Sequence, residues 1–260
     1  MGSTFFGGLK GGLVITYSEK VEREMARFER NVYKKSSMPQ TVAKRWQRTI
    51  NEKVPEKIHQ VVSESVRQMI RATLTGTAYL SDQEVLPEGS LMEREKRLEE
   101  RKTMYKRTAA VEGAGTGAGG ILMGFADFPL LLTIKMKFLF DAAKIYGYDV
   151  EDYDERLYLL HVFQLAFSKE GARIQAYEKL VNWDKEKGSK PQVQAYQNID
   201  WKTFQLEYRD FIDLPKTLQL IPGFGAIVGA WANYHFLDLL AENTKHAFRV
   251  RWLEEGGEFE

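Results

Sequence analysis

Apolar residues along the chain return at helical intervals and hardly ever alternate. After Tyr17, the residues Val21, Met25, Phe28 and Val32 follow at spacings of four, three and four, with Ser18 placed to cap the helix and Met38-Pro39 placed to end it. Residues 41–52 continue the pattern with Val42, Trp46 and Ile50. Pro55 then opens a helix whose buried stripe is Ile58, Val61, Val62, Val66, Met69 and Ile70. Residues 75–90, with Gly76, Pro87 and Gly89, read as a connection. Residues 91–107 read as a charged surface helix with a thin apolar face of Leu91, Leu98 and Met104. In the second half, Asp152 or Asp154 opens a largely buried helix through Leu157, Leu160, Phe163 and Phe167. Another helix covers residues 169–183, and Trp201, Phe204, Tyr208 and Phe211 mark a further one. No convincing strand pattern occurs. The expected fold is all-α, a single multi-helix domain over residues 16–255 behind a flexible leader at 1–15.

Two stretches depart from this style. Residues 113–140 pass from a run of small residues into a bulky apolar run, interrupted by Asp127 and Pro129, and residues 218–240 repeat the plan behind Pro222-Gly223. Within them Gly113/Gly117, Gly115/Gly119, Gly120/Gly124 and Gly225/Gly229 are spaced i,i+4, which lines small residues along a helical face and lets another backbone come close. An interior glycine costs a helix roughly 1 kcal/mol against alanine, so such segments stay helical only where close packing or an apolar solvent supports them. A membrane-spanning helix needs about 20 apolar residues. The first stretch is broken at Asp127 and Pro129 and then meets Lys135, Lys137, Asp141 and Lys144; of these Lys137, Asp141 and Lys144 share one narrow wet line with Thr133. The second carries Asn233, His235 and Asp238, and an aspartate at the centre of a span costs roughly 2.5–3.5 kcal/mol. Both stretches read instead as glycine-containing helical hairpins, over 113–146 and 214–253, with Asp127 capping the second arm of the first and Gly147 ending it.

Charge sharpens the picture. The net charge is +1, yet residues 1–110 carry 21 Lys and Arg against 14 Asp and Glu, and residues 111–260 carry 16 against 22. Within the basic half, Lys34, Lys35, Lys44, Arg45 and Arg48 surround Trp46. That group is either a solvated helix face or a contact for anionic lipid with Trp46 as its interfacial anchor. No recognition-helix or RNA-binding signature accompanies it, so nucleic acid is not expected as a partner. The absence of cysteine excludes disulfides and thiolate metal sites and fits a reducing compartment, and no secretory signal is evident.

Chemistry is scarce. Residues 115–120 match G-x-G-x-x-G, but a charged helix rather than a strand precedes them and no Walker lysine follows, which argues against a dinucleotide fold and a phosphate loop. His235, Asp238, Glu242 and His246 step by three, four and four along one line of an apolar helix. They are residue types that ligate a metal when a second element adds donors, and they equally suit the solvated side of an amphipathic helix. His161, inside a buried helix, is expected to be a hydrogen-bonded core residue. There is no Ser/His/Asp arrangement, nucleophile elbow or carboxylate dyad, so no catalytic residue and no cofactor is assigned.

The ordered set of motifs is more specific than any one of them. It comprises residues 112–120 (EGAGTGAGG), Asp127-Phe128-Pro129-Leu130 and Ile145-Tyr146-Gly147-Tyr148-Asp149. It continues with residues 221–230, Asn233-Tyr234-His235-Phe236 and Phe248-Arg249-Val250-Arg251-Trp252-Leu253. In this the chain resembles the EcsC family of bacterial proteins. The family takes its name from a component encoded beside the ATPase and membrane subunits of an ABC transporter, and no biochemical role is assigned to it. The resemblance marks Gly113, Gly115, Gly117, Gly119, Gly120, Gly124, Asp127, Pro129, Pro222, Gly223, Gly225, Gly229 and Asn233 as signature and packing residues. It favours a cytoplasmic or membrane-peripheral accessory over a secreted enzyme. Together with the paired small-residue apolar stretches and the basic Lys34–Lys57 patch, the expectation is a non-enzymatic cytoplasmic accessory protein, peripherally membrane-associated, whose partners are a membrane lipid or acyl chain or the subunits of a membrane transporter. The competing expectation is a metal-dependent enzyme built on the His235, Asp238, Glu242 and His246 line, with Asp127 as a further ligand.

Overall fold

The computed structural model describes residues 15–34, 56–76, 79, 83–117, 128–168, 170–188 and 225–259. All regular structure among them is helical: α1 (Tyr17–Tyr33), α2 (Glu56–Thr75), α3 (Leu91–Gly117), α4 (Phe128–Ile145), α5 (Tyr153–Phe167), α6 (Glu170–Val181), α7 (Trp183–Glu186) and α8 (Gly225–Glu254). The helices expected at 41–52 and 199–214, and most of the leader, lie outside the described residues.

Local chemistry fixes where the helices begin and end. Thr16, not Ser18, caps α1: its Oγ1 accepts from the Glu19 amide at 3.3 Å while the Glu19 carboxylate accepts from the Thr16 amide at 3.0 Å. Ser90 and Glu93 make the same reciprocal box at the start of α3, at 3.1 and 3.4 Å. Asp152 caps α5 by accepting from the Asp154 amide. At the end of α4 the Tyr148 amide donates to Ala143 and the Gly147 amide to Lys144, with Gly147 at φ +93° as the left-handed residue such an end requires. A Cβ there would lie 3.1 Å from the Leu86 carbonyl oxygen and 3.3 Å from an Arg94 guanidinium nitrogen.

Helix α8 is the axis. It packs along α3 most extensively and also against α4, α5 and α6, while α2 lies on α4 and α5, and α1 on α6. Arg94 meets Trp252, Glu95 meets Arg249, and Lys106 meets Asp238 and Tyr234, so α3 and α8 run antiparallel. Tyr158 against Ala247 and Phe167 against Phe236 set α5 antiparallel to α8 as well. Arg94 at Ile145 and Tyr105 at Asp141 do the same for α3 and α4. Helices α3 and α4 thus lie side by side. Over Gly225–Glu254 the second glycine stretch is one uninterrupted helix.

Two expectations are corrected. Helix α3 is not a thin-faced surface helix that stops at residue 107. It continues to Gly117 and buries Leu91, Arg94, Leu98, Tyr105, Lys106 and Ala109. Its apolar residues alone understate that face, because Arg94 and Lys106 bury their aliphatic stems and pair their charged ends. Nor is the line of polar residues on α4 wet throughout. Asp141 is 1% exposed and accepts from the Tyr105 hydroxyl at 3.0 Å with Arg101 at 3.5 Å. No described helix is long and apolar enough to cross a membrane.

One end of the bundle is closed. Arg94 donates to the carbonyls of Leu86, Gly89 and Ile145 and lies over the Trp252 ring. The chain beyond α8 folds back so that the carbonyls of Glu258 and Phe259 accept from the Leu91 and Met92 amides, satisfying donors that α3 leaves free at its start. Gly257 lies flat against Trp252, where a Cβ would have no room.

Two consequences can be measured. Gly147→Ala is expected to lower unfolding free energy in urea by about 1–3 kcal/mol, since alanine resists positive φ and meets the Leu86 carbonyl; an unchanged midpoint contradicts the packing at this end. His161, buried beside Trp183, is held by burial down to about 3 from its ordinary 6.5. As pH falls the unfolded chain takes up this proton first. Stability is therefore whole above pH 6.5 and declines toward pH 3, by up to about 1.4 kcal/mol per pH unit from this group. His161→Asn should flatten that slope, and an unaltered slope would show that the imidazole does not control it.

Candidate functional site

The antiparallel seam between α3 and α8 changes character along its length. Near the closed end it is locked by charge. Arg249, 1% exposed, donates its Nε and one Nη to the two oxygens of Glu95 and its other Nη to Glu24 of α1 at 2.8 Å. Burial opposes a charged guanidinium, but the two carboxylates outweigh it and hold the Arg249 pKa above its ordinary value. Two residues on, Arg251 makes a matching two-pronged pair with Glu155 of α5 and lies 3.7 Å from the centre of the Tyr148 ring. A cleft of about 180 Å³ opens beside Arg249, lined by Lys20, Glu24, Glu99, Lys102, Glu242 and Lys245 among others. Its ammonium groups and carboxylates interleave, so it presents no single sign of charge to a ligand.

Farther along, the proposed metal line is taken up by other partners. Asp238 accepts from Lys106 at 2.9 Å and has Lys102 at 3.8 Å. Glu242 has Lys245 at 3.0 Å and His246 Nε2 at 3.1 Å. His246 is buried and stacked on Phe28 of α1 at 4.1 Å between ring centres. Burial lowers its pKa despite the Glu242 carboxylate, so at neutral pH the ring is uncharged and Nε2–H is the donor. Nδ1 has no hydrogen-bond partner among the described residues. His235 and Glu242 are exposed, Asp238 is half-buried and only His246 is buried, at the α1 contact; among the described residues no three His, Asp or Glu side chains gather as metal ligands.

Beyond Lys106, whose ammonium lies 3.7 Å from the centre of the Tyr234 ring, the seam becomes glycine. The contacts of 95 with 249 and of 106 with 234 and 238 define the antiparallel register. Extended by the same rise on both helices, it sets Gly113 and Gly117 level with Gly229 and Gly225. Gly115 lies between Gly113 and Gly117 on α3, and Asn233 lies about one turn beyond Gly229 on α8. The helix α4 starts at this end, with Pro129 exposed in its first turn. Apolar side chains are exposed here, Val111 of α3 at 71%, Leu130 of α4 at 42% and Tyr234 of α8 at 43%, as Val85 and Met92 are at the closed end.

Of the other sequence candidates, Lys34 is exposed just after α1. Lys35, Lys44, Arg45, Trp46, Arg48, Gly119, Gly120, Gly124, Asp127, Pro222 and Gly223 lie outside the described residues. Sequence reasoning missed Arg249, Glu95 and Glu24, since nothing in their spacing links three segments so far apart. Lys135 did carry a signal, because it falls off the wet line of α4.

Comparison with known proteins then places the chain. The model of the EcsC protein family matches residues 19–253. Protein EcsC of Bacillus subtilis (strain 168) is 44% identical over 241 residues, covering 93% of this chain and 98% of that protein. An uncharacterized protein of the same organism, YdbA, is 31% identical over 147 residues, 56% of this chain and 53% of its own length. No solved structure matches significantly.

The charged lock has a direct test. Arg249→Met leaves Glu95 buried without its cation and is expected to cost about 3–5 kcal/mol in urea unfolding. Adding Glu95→Met should recover most of that loss; a single variant as stable as wild type would show that the lock does not hold the seam.

Proposed function

The chain belongs to the EcsC protein family, and from that premise we propose that it is a non-enzymatic accessory protein that associates peripherally with a membrane, through lipid or a membrane-protein complex of the ABC-transporter type. The observation that carries this reading is the contrast between the two ends of the bundle. The closed end satisfies its backbone groups with Arg94 and the folded-back tail. The glycine end presents Val111, Leu130 and Tyr234, and the sequence adjoining its helices, residues 118–127 and 218–224, is apolar and contains glycine. Val85 and Met92 are exposed at the closed end as well, so what sets the glycine end apart is exposed apolar side chains next to glycine-rich apolar sequence, a combination that supports a contact surface.

Two physical features support a shallow contact rather than a span. No described helix is apolar enough to cross a bilayer. The ion pairs of the seam begin within about two turns of the glycines, at Lys106 and Asp238, so an inserted end is short. Cytoplasmic placement, with the basic residues 34–48 beside an anionic leaflet, completes the proposal.

Flotation with phosphatidylglycerol and phosphatidylcholine vesicles tests it. Wild type is expected to float. Val111→Asp with Leu130→Asp should lower the floated fraction about tenfold or more, since each side chain loses an apolar contact worth about 1.5–3 kcal/mol. An unchanged melting temperature would show that both variants remain folded. Wild type that stays at the bottom with both vesicles, at low and at high salt, removes lipid as the partner.

A further inference from the structure

Lys135 of α4 is 3% exposed. Its ammonium donates to the Leu131 carbonyl one turn back, at 3.4 Å, and stands 5.8 Å from the centre of the Phe236 ring on α8. Among the described residues no carboxylate pairs with it. The other buried cations are provided for: Arg249 and Arg251 by glutamates, Lys106 by Asp238, and Arg94 and Arg156 by fans of backbone carbonyls. Burying an ammonium without a counter-charge costs several kcal/mol, and methionine would fill a similar volume without that cost. Burial alone brings the Lys135 pKa down to about 8.

The direction of the side chain gives the ammonium a use. By reaching back to Leu131 it points toward the start of α4, which is the glycine end, and stops about one turn short of Phe128. We propose that Lys135 is the buried half of an oxyanion site at the glycine end, completed by a phosphate or carboxylate that arrives on a lipid head group or free in solution. The lipid arm rests on the reading that this end meets a membrane. An oxyanion there supplies the counter-charge that the described residues do not, in surroundings where a charge-assisted bond is strong.

The test uses the full chain as wild type, Lys135→Met and Lys135→Arg. Each is floated with phosphatidylglycerol and with phosphatidylcholine vesicles, and each is melted with and without inorganic phosphate. If the oxyanion comes on lipid, wild type prefers phosphatidylglycerol by about fivefold or more. In that case Lys135→Met keeps only the part of the preference that the basic residues 34–48 supply, and Lys135→Arg keeps all of it. If the oxyanion is free, phosphate raises the melting temperature of wild type and of Lys135→Arg but not of Lys135→Met. Wild type and Lys135→Met that behave alike in both assays overturn the site. That outcome differs from the failure of the membrane reading, in which wild type floats with neither vesicle.

Discussion

A guanidinium with almost no water around it ties three distant segments together at one level of the bundle. Arg249 brings α8 against Glu95 of α3 and Glu24 of α1, and the arrangement works only because both carboxylates arrive with the helices that carry them. Arg251 repeats the device toward α5 through Glu155. Once these two levels are set, the antiparallel register of α8 with α3 and α5 follows. So does the position of everything farther along those helices, including the glycines.

The same seam explains why the two ends differ. A charged lock, an arginine clamp on backbone carbonyls and a folded-back tail pair the helix-end backbone groups of the closed end. At the other end glycines stand level across α3 and α8, which lets helices come close but supplies no side chains to cover what lies around them. Val111 and Leu130 remain in solvent there. The two ends therefore differ in how their helices are tied together, by charge and backbone bonding at one and by close glycine approach at the other.

Much of this was legible in the residues. Helical periodicity gave the fold class, and Gly147 and Asp152 were identifiable as a helix end and a helix cap. Thr16 and Glu19 carried a capping box that the nearby Ser18 obscured, because both hydroxyl residues suit the role and only the reciprocal bond decides. The depth of α3 was hidden for a different reason. A run so rich in Lys, Arg and Glu reads as solvated, yet Arg94 and Lys106 are buried by partners 50 to 150 residues away that no local pattern reveals. The His235, Asp238, Glu242 and His246 line was visible as a line, but the burial of His246 alone was not. Whether a helical stripe faces water or a neighbour depends on tertiary contacts, here Phe28 over His246.

The orientation of the molecule on a membrane is where these claims meet. The chain contains no cysteine, so a single Val111→Cys carrying an environment-sensitive fluorophore reports on the glycine end alone, and Val85→Cys reports on the closed end. With phosphatidylglycerol vesicles the account predicts a blue shift and protection from aqueous quencher at position 111, and neither at position 85. Equal responses at both positions, or a response at 85 alone, would contradict it.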